Sequence, residues 1–111
     1  MIVEVRTYRI KPGLRERFLA FFRNEAIPLQ RSIGIRVIGP FVDVEDPNGV
    51  VWARAFPSLA ARERMKHELY EGDKWKNELR AVVMPMLESY HSTLTEAPDW
   101  FVNEFSPCAP S

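Results

Sequence analysis

Two β-rich segments carry side chains suited to recognising a small molecule. Glu4, Arg6 and Tyr8 alternate within Ile2–Ile10, and Trp52, Arg54 and Phe56 alternate within Val50–Phe56. Alternation along a strand sends every second side chain to the same side, so each set shares one face. A guanidinium offers a planar fork of donors matched to a carboxylate. Glu4 alone cannot neutralise both arginines, so a small carboxylate could complete the pairing, with Tyr8, Trp52 and Phe56 as flat apolar walls. A lattice of Glu4, Arg54 and Arg6, balanced by a partner's acids or by water, accounts for the same charges without a ligand, because ion-pair networks often imitate functional sites.

The remaining candidates are weaker. His91 lies in a weakly patterned segment near the end of the chain, where one strand phase points it towards the ligand space and the other under the helices. In the first phase it joins the other six as a ligand partner or general base. His67 falls about 200° around a helix from Met65, which places it off the Ala61/Met65/Leu69 stripe and towards solvent, with haem ligation or proton transfer the competing readings. Arg62, Arg64, Lys66 and Glu68 read as an ordinary solvated helix face. Cys108 has no neighbouring motif to activate it. Two histidines and one cysteine, none at ligand spacing, do not make a transition-metal site. No phosphate-cradling glycine loop or serine nucleophile motif is present. No cofactor is expected.

The elements that must position these residues follow from periodicity. Ile2–Ile10 reads as a strand ending at the Lys11-Pro12-Gly13 turn. Leu14–Ile33 reads as a helix with Phe18, Phe21, Phe22 and Leu29 near a 3.6-residue period, kinked or restarted at Pro28 and closed by Gly34. Ile35–Val44 is a second strand with an irregularity at Gly39-Pro40. Asp46-Pro47-Asn48-Gly49 turns it into a third, Val50–Phe56. Ser58 is placed to cap a helix carrying Ala61, Met65 and Leu69. After Gly72-Asp73 a helix resumes with Trp75, Leu79, Val82, Val83 and Met86 on one face, and Pro85 ends it. A short last strand falls within Ser89–Thr95. The order is βαββαβ, an antiparallel four-stranded sheet with helices on one face, an α+β class.

That topology sets the first and third strands side by side. Val3 and Val5 with Val51, Ala53 and Ala55 form a small apolar face suited to lying beneath helices. The opposite face, with Trp52 and Arg54, is then left open, and an exposed patch of that kind marks an interaction site. The expectation is a homodimer whose sheets close over one another, with the seven candidate residues lining the cavity between them.

The composition bounds the rest. The 111 residues make a single domain, with 15 Lys+Arg against 15 Asp+Glu. This balance argues against nucleic acid, which needs a basic face. No apolar run is long enough to span a membrane, and Met1–Arg6 does not read as a secretory signal. A lone cysteine fits a cytoplasmic protein. Residues 1–96 form the domain, and 97–111, with Trp100, Phe101 and Phe105, form a Pro/aromatic tail too aromatic to stay solvated, expected to dock on a surface.

Several pieces taken in order resemble the NIPSNAP family. They are Glu4-Val5-Arg6-Thr7-Tyr8 before Lys11-Pro12-Gly13, Ile27-Pro28-Leu29-Gln30, Gly39-Pro40-Phe41, Pro47-Asn48, Val51-Trp52-Ala53-Arg54-Ala55-Phe56, and Ser58-Leu59 before Arg62. The resemblance covers roughly residues 2–96 and is strongest to small bacterial members. It implies a ferredoxin-like subunit paired into a dimeric α/β barrel. It carries over no catalytic constellation. Relatives elsewhere in that superfamily include cofactor-free monooxygenases, isomerases, decarboxylases and haem-binding enzymes, a likeness of fold rather than of site. The sequence therefore supports a homodimer that binds a small anionic or aromatic molecule. One competing reading is a cofactor-independent monooxygenase or isomerase, in which Arg6 or Arg54 steadies an enolate and His91 or Glu4 moves the proton. The other is an interaction module with a filled barrel.

Overall fold

The computed structural model describes residues 1–101. Strand β1 (Ile2–Ile10) leads into a helical arm made of α1 (Arg15–Phe21), a π-helical turn (Phe22–Ala26) and α2 (Ile27–Ile33). Strands β2 (Arg36–Val42) and β3 (Gly49–Phe56) form a hairpin. The second arm comprises α3 (Leu59–Tyr70), a second π-helical turn (Trp75–Leu79), α4 (Arg80–Val83) and a 3-10 turn (Met84–Met86), and β4 (Leu87–Glu96) closes the order. The four strands form one antiparallel sheet in the order β2-β3-β1-β4, the ferredoxin-like α+β arrangement, with both arms on one side.

Local chemistry explains the joints. The first arm does not break at Pro28. Proline cannot donate a backbone hydrogen bond, and the π turn before it shifts the ladder so that Ile27 N–H reaches Phe22 O. Pro28 thus sits in the first turn of α2, where its missing donor costs nothing. Gly34 ends that helix in the left-handed region at φ 101°. Ser58 caps α3, its hydroxyl accepting from Ala61 N at 3.1 Å. Ser58→Ala is expected to cost about 1 kcal/mol, read as a lower urea midpoint with an unchanged slope.

The second arm departs from a single helical stripe. Leu79, Val83 and Met86 are buried as expected, but Val82 is 49% exposed, because the π turn rotates the following residues off the original period. The last strand is longer than Ser89–Thr95 and runs along β1 from Leu87 to Glu96. Beyond it, Ala97 N–H donates to Met1 O at 2.8 Å and Phe101 N–H to Pro98 O at 3.0 Å. The rest of the expected docked tail, 102–111 with Phe105 and Cys108, lies outside the described residues.

The assignment of the two sheet faces is reversed. Tyr8, Trp52, Arg54 and Phe56 are buried beneath the chain's own helices, while Val3, Val5, Val51 and Ala53 are on the side the helices leave open. Helical arms stand off from a sheet and need large side chains to fill the gap. The small residues suit the uncovered side. The proposed inter-sheet cavity lined by Trp52 and Arg54 is therefore not where those residues point.

Candidate functional site

Strand register brings the buried charges together. Glu4 is directly opposite Arg54, and Arg6 opposite Trp52, on the helix side of the two central strands. Glu4 and Arg54 are each 1% exposed, a placement that is costly unless every charge finds a partner. Arg54 Nε donates to Glu4 Oε1, and Arg54 Nη1 donates to Gln30 Oε1 of α2 at 3.2 Å. Arg62 of α3 donates from Nη2 to Glu4 Oε2 at 2.7 Å. Glu4 thus ties the second helical arm to the sheet through Arg62, and Arg54 ties the first through Gln30. Arg62 is a correction: it belongs to this buried cluster rather than to a solvated helix face.

Glu4 is held ionised. Burial alone would raise its pKa, but hydrogen bonds from Arg62 and Arg54 and the nearby Arg6 outweigh that, lowering it from 4.5 to about 2. Arg6 lies further along the same face, its Nη2 donating to the Tyr8 hydroxyl at 3.0 Å. Burial disfavours the Arg6 charge, yet Tyr8 and Glu4 more than compensate and raise its pKa. Burial likewise raises the Tyr8 phenol, more than Arg6 lowers it, so the hydroxyl keeps its proton.

Between this cluster and the helices is a cavity of about 150 Å³. Its floor is Arg6, Tyr8, Trp52 and Arg54 on the sheet, and its roof comes from both helical arms. Phe22 packs edge-on to Trp52 at 4.8 Å, and Tyr70 meets Trp75 at 5.3 Å. Both π turns contribute, Phe22 and Ala26 from one and Trp75 and Leu79 from the other. Such turns are frequent at functional sites. Four buried donors have no acceptor among the described residues: Arg6 Nε, Trp52 Nε1, Arg54 Nη2 and Arg62 Nε. The first three belong to residues that line the cavity.

Of the seven candidates, Glu4, Arg6, Tyr8, Trp52, Arg54 and Phe56 share this one face. His91 does not join them. It is opposite Thr7 and so turns to the open side, where it is exposed, while its neighbour Tyr90, opposite Tyr8, lines the cavity. His67 is exposed as well. Sequence reasoning missed Gln30 and Tyr70. Gln30 was within reach, since Phe18, Phe22, Ala26 and Gln30 fall at four-residue intervals, a polar residue on an apolar stripe. Tyr70 gave no such signal. Its ring is 5.5 Å from the Arg54 guanidinium carbon, a contact set by how α3 crosses the sheet.

A family model described as NIPSNAP matches residues 3–101. The chain belongs to the NIPSNAP family. Among solved structures, this NIPSNAP chain is similar to an uncharacterized NIPSNAP domain protein from Burkholderia xenovorans, at 26% identity and TM-score 0.79, covering 90% of this chain and 97% of that one. It is also similar to a NIPSNAP family protein from Agrobacterium tumefaciens, at 29% identity and TM-score 0.79, covering 89% and 87%. A putative antibiotic biosynthesis monooxygenase from Nitrosomonas europaea shares the fold alone, at 17% identity and TM-score 0.67, covering 87% and 98%. No curated protein matches the chain. No helix among the described residues is long and apolar enough to cross a membrane, and no group of His, Cys, Asp and Glu among them is arranged to hold a metal ion.

Proposed function

We propose that this NIPSNAP protein is a homodimeric, cytoplasmic binding protein that holds a small organic molecule in the cavity beneath its own helices. The observation that carries the reading is the cavity itself. It is walled by aromatic rings, with the guanidiniums of Arg6 and Arg54 at its floor. A dry cavity of similar volume accommodates a benzene-sized molecule, which sets the scale of the ligand at a single ring.

The second copy belongs on the opposite face. Val3, Val5, Val51, Ala53 and Ala55 are joined there by Ile38 and Phe41 of β2, which are 46% and 57% exposed. Small side chains at the centre let two sheets approach to the roughly 10 Å of face-to-face packing. Light scattering is expected to give about twice the 12.9 kDa chain mass at micromolar concentration. A chain that stays monomeric there would remove the dimer from the reading.

Binding is favoured over the alternative of a cofactor-independent monooxygenase or isomerase. Among the described residues lining the cavity there is no His, Cys, Asp or Glu to take up a proton, Glu4 being locked among arginines outside it. The test is a set of single-ring acids, amides and alcohols added to isotopically labelled protein. Amide NMR shifts should cluster around Tyr8, Trp52 and Leu79 and vanish in Val83→Trp, which fills the cavity. If no compound moves those amides, the cavity is not a binding site.

A further inference from the structure

We infer that the ligand is an aromatic monocarboxylic acid, whose carboxylate is received by Arg6 and the Tyr8 hydroxyl while Arg54 only holds the frame. This rests on the cavity being a binding site and names what it takes.

The three guanidiniums around Glu4 are not equivalent. Arg54 is committed through Nε to Glu4 and through Nη1 to Gln30. Arg62 is committed through Nη2 to Glu4 at 2.7 Å and through Nη1 to the surface carboxylate of Glu63 at 2.9 Å. Arg6 has no carboxylate at hydrogen-bond distance. Its Nη1 is 3.7 Å from Glu4 Oε1, its Nε has no acceptor among the described residues, and Nη2 meets only a neutral phenol. Glu4 balances Arg54, and Glu63 offsets Arg62 at the surface, so Arg6 is the surplus charge. A single negative charge completes the set, whereas a dianion would overshoot it.

The surroundings of Arg6 specify the rest of the ligand. Its guanidinium carbon lies 5.5–5.6 Å from the ring centres of Tyr8, Trp52 and Tyr90, so the cation is held among aromatic faces. A flat ring fits beside such faces in offset or edge contact. Tyr90 lines the cavity yet is 55% exposed, which places an opening next to Arg6. The Arg6 side chain is 12% exposed against 1% for Arg54, so a charged ligand meets Arg6 first and sheds less water doing so. The Tyr8 hydroxyl accepts from Arg6, and its own proton has no acceptor among the described residues, leaving it free to donate to a carboxylate oxygen.

The experiment is calorimetric titration of the whole chain at pH 7 with benzoate and with its neutral counterpart benzamide. Benzoate is expected to bind at least about tenfold more tightly, the scale of one charge-assisted hydrogen bond. Arg6→Gln should abolish that preference, and Tyr8→Phe, which keeps the cation but removes one donor, should narrow it. Should Arg6→Gln fail to fold, Tyr8→Phe decides the matter through the same ratio, which must fall, since a merely structural role would weaken both ligands alike. Equal binding of the two compounds, a preference that survives Arg6→Gln, or one that Tyr8→Phe leaves undiminished, overturns the anion assignment and leaves the cavity reading standing. Binding of neither, with no amide shifts from any ring compound, overturns both.

Discussion

Glu4→Gln is expected to cost about 3–5 kcal/mol of stability, the range for breaking a buried ion pair, and to lower Tm by on the order of 10–20 °C. The change is nearly isosteric, so the loss is electrostatic rather than a cavity. Arg54, 1% exposed, would keep its charge with only an amide oxygen in place of the carboxylate, and Arg62 would lose its tie from α3 to the sheet. The same group predicts the acid limb of stability. Its folded pKa of about 2 lies below the ordinary 4.5, so its contribution is fully present above pH 4.5 and is lost as pH falls towards 2. That contribution is roughly 3 kcal/mol. Urea unfolding followed from pH 7 to pH 2 should show the loss in the native chain and a much flatter profile in Glu4→Gln. A variant within 1 kcal/mol of the native chain, with an unaltered acid limb, would mean that the arginines find their partners elsewhere.

Ala53→Glu tests the other face. Ala53 is opposite Val5 on one side and Ile38 on the other, in the middle of the open sheet. A carboxylate there has nothing to pair with at a face-to-face contact, and in a two-fold dimer it is introduced twice. The cost is on the order of 4 kcal/mol or more, about a thousandfold in Kd. Sedimentation at micromolar concentration should then show monomers. Folding within one chain should be little changed, because Ala53 does not touch the helical layer. A dimer that persists with Ala53→Glu would place the contact elsewhere on the subunit.

The strand order and the grouping of Glu4, Arg6, Tyr8, Trp52, Arg54 and Phe56 were legible because alternation is a strict geometric rule. Which side the group faced was not, because period alone does not say which face the helices cover. Bulk looked like surplus needing a second copy, when it is what a standing-off helical layer requires. The information that decides the facing sits in the helices: Gln30 on an otherwise apolar stripe and Arg62 next to buried Ala61 are the polar partners that Glu4 and Arg54 need. His91 had no such anchor. It lies on an edge strand exposed along most of its length, and only the pairing with Thr7 fixes its side.

The measurement that bears most directly on all of this is a crystal structure of the protein grown with benzoate. The expected result is a ring lodged between the sheet and the chain's own helices, its carboxylate at Arg6, with Val5 and Ala53 packed against a second copy. Benzoate held between two sheets, or Trp52 and Arg54 facing that second copy, would contradict it.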